Sequence, residues 1–491
     1  MIEKRREAIE EGSTMARIGF RTAGIVVLAG LTGGIADRVG ATAEATSQTT
    51  WLVVQATSSA PAPALQDAIA RLGGTIVSTY PEIGTLVVES PDPDFRTAAA
   101  AISGVSSVVP NVPLQIVAEG DDAEYDGGNG GLASLPADEP FYPFQWGLHA
   151  IHAKGAWDAG YTGAGARVAV LDLNFDISHP DLAPNINPNL ARSFVPGEPV
   201  TPGPTVTFSH GTHVAGIIAA TANGVGTVGV APDAELVPIK VISDANSFQL
   251  PWFLDGLRYA VAVEADVVNM SFGMILLRSG GCLPPGVATC LTAKDVRDIV
   301  KIVRRAIQFA RRNGVTLVAA GGNLAGELDR GDDIIGLPAE SRGVLAVSAT
   351  GPVDWALDPT TDLDVPESYT NYGANVVYLA APGGFVGSPP GPTCDLGLDL
   401  GVGPIPCRWF DKTLSTNFPH PYWFGGGTSF ATPHVTGVAA LIVGKSGGAM
   451  SPGRVQAILR RSADDLGTHG RDAFYGWGRV NAERAIAMTP D

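Results

Sequence analysis

Cysteine is scarce in this chain, positive charge is outnumbered, and no apolar run reaches the length of a membrane span. The 491 residues hold four cysteines, which fall as two local pairs, Cys282/Cys290 and Cys394/Cys407. Four cysteines allow three connectivities; the short separations favour pairing within each pair, and export makes disulfides the expected state. A zinc site is the poorer reading, because the spacings are wrong and no histidine adjoins either pair. Lysine and arginine number 32 against 49 aspartates and glutamates, a formal net charge of −17, which argues against nucleic acid or an anionic membrane as partner. The apolar run Ala23 to Ala36 falls short of the about 20 residues that cross a bilayer. It follows Arg17 and Arg21 and precedes the small residues Ala41-Thr42-Ala43, the order of a secretory signal. A retained anchor is the rival reading, and Met15 is a candidate start. With no second run of spanning length, the mature chain is expected to be soluble and free of the membrane once the signal is removed.

What is present is ample apolar content, 45% of residues, in a chain longer than one ordinary domain. Residues 1–45 read as the signal region. Trp51–Gln55, Gly74–Tyr80, Gly84–Glu89 and Val105–Val109 read as strands, with helices over Ala62–Leu72 and Phe95–Ile102. That order, β-α-β-β-α-β, predicts a small ferredoxin-like α+β domain over residues 46–117. Residues 118–136 are acidic, glycine-rich and without apolar period, which predicts a flexible linker open to cleavage. From residue 137 to 491, apolar β-branched runs (Arg167–Leu171, Glu235–Ile242, Asp266–Met270, Val315–Ala319, Val344–Ser348, Val376–Ala380) alternate with helical patterns. They predict an α/β domain with a doubly wound, mostly parallel sheet. No repeats of solenoid period interrupt it. Two stretches, Gly280–Arg297 and Gly387–Pro421, carry the cysteine pairs and are expected at the surface.

Three segments in the large domain offer an acid, a base and a hydroxyl in the order Asp…His…Ser. Asp172 closes Val168-Ala-Val-Leu-Asp172, His210 opens His210-Gly-Thr-His-Val-Ala-Gly216, and Ser429 lies in Gly427-Thr-Ser-Phe-Ala-Thr-Pro-His434. A hydroxyl becomes a nucleophile only when a positioned base takes its proton. Asn323, at the end of a strand and its Ala-Gly-Gly turn, could donate to a developing oxyanion. Ligands of parallel sheets bind beyond the carboxyl ends of strands, where Asp172, Ser271 and Asn323 all fall. The helix after Ser429 is expected to hold Pro433 in its first turn, where a proline is tolerated.

With these motifs the chain resembles the subtilisin-like serine proteases, from Trp146 to Ala485. The resemblance implies a catalytic triad of Asp172, His210 and Ser429 with Asn323 at the oxyanion hole. It implies that Ser271, Phe272 and Gly273, with Ala320, Gly321 and Gly322, border the substrate. The small Ala-Gly-Gly wall implies room for an apolar or bulky side chain before the cleaved bond, and no acidic residue in either stretch demands a basic one. The small domain resembles an inhibitory propeptide, an intramolecular inhibitor of a self-processed precursor. Protein or peptide substrates, a secreted location and a monomeric state complete the expectation.

A structural calcium ion, and no cofactor for the chemistry, is a further implication. The loop Thr221-Ala-Asn-Gly-Val-Gly-Thr227 is similar to a calcium loop of the family. Asp181, Asn223 and the carbonyls of Thr221, Val225 and Thr227 would be its ligands, with Asp138 or Glu139 completing the set. One departure stands out: the family follows its aspartate with Ser or Thr and then Gly, whereas here Leu173 and Asn174 follow Asp172. A catalytically impaired, peptide-binding relative is the alternative this departure raises. An esterase is a third reading, without the Gly-x-Ser-x-Gly elbow to support it.

Overall fold

A computed structural model describes residues 49–115, 139–281, 290–329, 333–387, 391–398, 400, 405–448 and 450–490. The expected signal region, the linker and Cys282 lie outside the described residues.

The N-terminal part runs β1 (Thr49–Gln55), α1 (Pro63–Arg71), β2 (Thr75–Tyr80), β3 (Thr85–Ser90), α2 (Phe95–Ala100) and β4 (Val105–Pro110), then a short β5 (Leu114–Gln115). Its four strands form an antiparallel sheet in the order β2-β3-β1-β4. Successive side chains of a strand point to opposite faces, and here both faces are covered. Trp51, Val53, Leu86 and Val88 meet Leu65 and Ile69 of α1 and Phe95 and Ala99 of α2. Leu52, Val54 and Val87 point the other way and join the core of the large domain.

After two short helices, Trp146–Ala150 and Ala153–Asp158, the large domain runs through β6 (Arg167–Asp172), β7 (Arg192–Ser193), α3 (His210–Ala219), β8 (Glu235–Lys240), β9 (Ser247–Phe248), α4 (Leu250–Ala262), β10 (Val267–Met270), β11 (Met274–Leu277) and α5 (Ala293–Arg312). It continues with β12 (Thr316–Ala320), β13 (Ile334–Leu337), β14 (Val344–Gly351), β15 (Val365–Pro366), β16 (Val377–Pro382), β17 (Thr413–Thr416), β18 (Tyr422–Gly425) and α6 (Thr428–Lys445). The main sheet has eight strands, ordered β15-β14-β12-β10-β6-β8-β7 with β16 also on β14. All pairings are parallel except that of β15. The apolar run of β6 explains the doubly covered sheet: Val168 and Val170 enter one core, Ala169 and Leu171 the other. Helix α6 is buried from Thr428 to Val443, as a helix apolar on every side must be. The doubly wound, mostly parallel architecture is thus as read from the sequence.

The small domain sits on the large one. β5 adds antiparallel to β9, with Leu114 opposite Phe248 and Gln115 opposite Ser247. Arg305 of α5 donates to the carbonyls of Ile83 (2.9 Å) and Gln55 (3.2 Å), Arg96 pairs with the buried Asp295, and Asn111 donates to Gln249 at 2.8 Å. Asp295 closes a capping box with Thr292 at the start of α5, so the stretch Gly280–Arg297, expected at the surface, ends in a helix with Asp295 and Val296 buried.

Of the two cysteine pairs expected to form disulfides, the structure describes one bond in full. Cys394 and Cys407 are joined, 4.8 Å between Cα atoms. Cys290, three residues before α5, is disulfide-bonded too, but the partner expected for it, Cys282, lies outside the described residues. The Cys282–Cys290 pairing therefore remains an expectation from their short separation and is not a described bond. Among the described residues no cysteine is free, and no helix is long and apolar enough to cross a membrane.

Candidate active site

Asp172 is the last residue of β6, His210 the first of α3, Ser429 the second of α6, and Asn323 follows β12 by a Gly-Gly turn. Parallel strands ending on one side bring them together. His210 Nδ1 lies 2.7 Å from Asp172 Oδ1, both side chains buried. A carboxylate can only accept, so Nδ1 carries the proton and Nε2 is the basic nitrogen. Among the described residues Nε2 has no hydrogen-bond partner, and its ring stands 5.3 Å from that of Phe430, next to Ser429. Leu173 N–H donates to Asp172 Oδ1 at 2.8 Å, so a backbone amide supports the carboxylate in place of the hydroxyl that the family resemblance leads one to expect. Asn174 lends Asp172 no bond; its amide donates to Asp244 at 2.8 Å and accepts from Ser209 at 2.7 Å.

Ser429 Oγ donates to the carbonyl of Ser271 at 2.9 Å, and Gly322 N–H donates to Thr428 Oγ1 at 3.1 Å. The two stretches named for substrate binding, Ser271–Gly273 and Ala320–Gly322, therefore both abut the turn that carries the nucleophile candidate. Gly427 precedes the helix at φ 144° with Phe430 N–H bonded to its carbonyl, a conformation that favours glycine. Phe272 faces inward, its ring 5.8 Å from Phe248 and 6.3 Å from Phe253.

Pro433 is the sixth residue of α6, not a first-turn residue as expected. It lacks the N–H that would bond the Ser429 carbonyl four residues earlier. Ser271 Oγ supplies the missing donor at 2.6 Å, and accepts in turn from Asn269 at 2.9 Å.

Asn323 Oδ1 accepts from Thr428 N–H (2.9 Å) and Thr428 Oγ1 (2.7 Å). A backbone N–H can only donate, so the amide nitrogen must face away from it. That Nδ2 is buried and without a partner among the described residues, as a donor reserved for a transient anion would be. Asn371, which the sequence did not single out, braces the turn. It accepts from Leu324 and Gly326 N–H and donates to the Gly321 carbonyl, at 2.9, 3.0 and 3.0 Å. Ser247 and Phe248 carry no sequence signal either, since a strand of two residues has no period to read.

The Thr221–Thr227 loop wraps Asp181. Asp181 is fully buried, accepts from Thr227 N–H at 3.0 Å, and has Asn223 Nδ2 at 3.4 Å. Burial pushes its carboxyl up to about 7, the nearby Glu139 adds to this, and no basic side chain is among the groups acting on it. Glu139 accepts from Gly224 N–H at 2.7 Å. Asn223 Oδ1 takes Val225 N–H at 2.9 Å and keeps a second lone pair. Two carboxylates from separate segments against one loop, with amide and backbone oxygens near, are a donor set that fits calcium. Asp138 lies outside the described residues.

The pattern of the Subtilase family matches residues 163–478. The chain is similar to M-protease of Shouchella clausii, 34% identical over 341 residues, 69% of each protein. It is similar to Subtilisin E of Bacillus subtilis, 31% identical over 344 residues, 69% of this chain and 70% of that one. Among solved structures it resembles fervidolysin from Fervidobacterium pennivorans, a keratinolytic enzyme related to subtilisin (TM-score 0.65, 23% identity, 92% of this chain and 63% of that). It also resembles the epidermin leader peptide processing serine protease of Staphylococcus aureus (TM-score 0.67, 18% identity, 90% and 99%). At these identities the two structures speak for the fold.

Proposed function

The chain belongs to the subtilase family of serine proteases, and from that premise we propose that Asp172, His210 and Ser429 hydrolyse peptide bonds in an exported, self-processed endopeptidase. The observation that carries the proposal is the imidazole of His210, fixed through Nδ1 to Asp172 with Nε2 left open beside the helix of Ser429. In the resting arrangement the Ser429 hydroxyl points at the Ser271 carbonyl. For attack it turns to His210 Nε2, which removes the proton as Oγ adds to the substrate carbonyl. His210 then returns that proton to the leaving amine, and water repeats the sequence to release the acyl group. Asn323 Nδ2 and the N–H groups at the start of α6 would receive the oxyanion.

The small domain is the intramolecular inhibitor in this reading. Leu114–Gln115 lies on β9 as an extended peptide adds to a sheet edge, and the linker that follows holds the maturation bond. Calcium, held by Asp181, Asn223, Glu139 and the carbonyls of Thr221, Val225 and Thr227, serves stability and takes no part in the chemistry. Release from the cell follows from the signal pattern.

Labelling with a fluorophosphonate tests the chemistry. The wild-type chain should react once, and Ser429→Ala should neither react nor mature. Intact mass of the active protein should place its N-terminus between Ile116 and Phe141. An unlabelled wild type, or a matured Ser429→Ala chain of undiminished turnover, would overturn the assignment.

A further inference from the structure

Asp172 Oδ1 accepts from His210 and from Leu173 N–H, and Oδ2 makes no hydrogen bond among the described residues. The direction of the carboxylate therefore depends on where the Leu173 amide is held. The family resemblance leads one to expect a hydroxyl at position 173 and glycine at 174; the leucine side chain found at the first position offers no hydrogen bond, so only its backbone can hold the turn.

The peptide after Asp172 is held from the other side. Lys240 pairs in register with Asp172 on the neighbouring strand, is fully buried, and donates to the Leu173 carbonyl at 2.7 Å. The same ammonium meets Asp244 at 2.6 Å and Glu198 at 3.1 Å. Its three N–H groups thus have three acceptors. Asp244 Oδ1 also accepts from Asn174 Nδ2 at 2.8 Å. That bond fixes the amide's orientation, since a carboxylate takes only the nitrogen, and turns Asn174 Oδ1 to Ser209 Oγ, 2.7 Å away. Ser209 is the residue before His210, and its hydroxyl makes no cap to the helix amides; it also meets the Asn174 carbonyl at 3.2 Å and Thr212 Oγ1 at 2.5 Å. Burial alone would raise the Asp244 carboxyl, but the hydrogen bonds from Lys240 and Asn174 and the Lys240 charge bring it below the usual range, so the acceptor is anionic.

We propose that Asn174 and Asp244 are positioning residues that fix the end of β6 to the start of α3, and so hold Asp172 against His210 in place of the absent hydroxyl. Asn174 belongs to the turn after the acid, and its side chain reaches Ser209, the residue before the base, on one side and Asp244, partner of the Lys240 that holds the Leu173 carbonyl, on the other. The idea rests on the endopeptidase reading above.

The test counts active sites first, with a fluorophosphonate, so that turnover is expressed per reactive serine. Asn174→Ala should lower kcat by about tenfold with KM within about twofold, as expected when an interaction matters only in the transition state. A loosened Asp172 stabilises the imidazolium less, so the acidic limb of the kcat/KM profile should move to lower pH. Adding Leu173→Ser to that variant should recover most of the loss by restoring a direct hydroxyl. If Asn174→Ala fails to fold, Asp244→Ala, which frees the Asn174 amide, should show the same kcat loss and limb shift to a smaller degree. A wild-type kcat per site and an unmoved limb in the variant that folds overturn the positioning role and leave the endopeptidase reading intact. A wild type that does not label overturns that reading instead.

Discussion

The hydroxyl of Ser271 donates to the backbone carbonyl of Ser429 at 2.6 Å, in the place of the amide that Pro433 lacks. Two segments far apart in sequence are joined at the peptide unit of the nucleophile candidate. Removing the hydroxyl leaves a buried carbonyl and the Asn269 amide short of a partner, a cost of about 1–3 kcal/mol. Ser271→Ala should therefore lower the urea midpoint of unfolding and also depress kcat. In a Pro433→Ala background the helix regains its own donor, and the same change should cost visibly less. Equal costs in the two backgrounds, in a double-mutant cycle, would show that the two residues are not coupled.

Asn323 Nδ2 is a buried donor without an acceptor among the described residues, which is expensive to keep unless a reaction uses it. Asn323→Ala should cut kcat by about 10²–10³, the loss seen in subtilisin for this kind of donor, with little change in KM. Asn371→Ala, by loosening the Gly321–Gly326 turn, should reproduce part of that loss without touching substrate. Steady-state kinetics with a peptide anilide distinguishes the two; an Asn323→Ala enzyme of wild-type kcat would remove the residue from the chemistry.

For Asp181, a bound cation should stabilise the folded chain by mass action, about 2.7 kcal/mol when free calcium is a hundredfold above its Kd. Chelation should lower the Tm and hasten self-digestion, and Asp181→Ala should make the Tm insensitive to calcium. Superimposable melting curves for calcium-loaded and verified metal-free protein would count against the loop as a site.

Two histidines set a lower pH limit on stability. Desolvation depresses His213 to about 3 and His434 to about 4, from 6.5. Both are neutral in the fold, so the unfolded chain takes up protons first as the pH drops. Their contribution is whole above about 6.5 and is lost as pH falls through the interval down to about 4 and then 3. Each adds at most about 1.4 kcal/mol per pH unit to the slope. Urea unfolding at stepped pH should show this loss beginning near 6.5, and His434→Gln should flatten the slope. An unchanged slope in that variant would place the acid sensitivity elsewhere.

What could be read from the sequence follows the strength of the local signal. Val168–Leu171 and Leu317–Ala320 are buried on both faces, so their apolar runs announce central parallel strands and, with them, the ends that carry Asp172 and Asn323. The ferredoxin-like order was legible because Trp51–Val54 and Leu86–Val88 alternate into two cores. The support of the site was not legible. Ser271 serves Ser429 only because Pro433 sits one turn deeper in α6 than expected, and Asn174 turns to Asp244 and Ser209 rather than to Asp172. These are contacts across 70, 35 and 158 positions, and no periodicity encodes them. The pairing of Leu114–Gln115 with Ser247–Phe248 was hidden for a similar reason, since two-residue strands leave no pattern.

The four residues of the site stand at 172, 210, 323 and 429, at the ends of elements far apart in sequence that meet around the middle of one sheet. No fragment that stops short of α6 contains the proposed nucleophile, and none without β6 contains the proposed acid. A ribosome making this chain N-terminus first therefore carries an unarmed polypeptide until nearly the last stretch has emerged. Long-range pairing makes such a sheet slow to form, so under the proposed assignment cutting power would arrive late, in a molecule whose N-terminal domain is already synthesised.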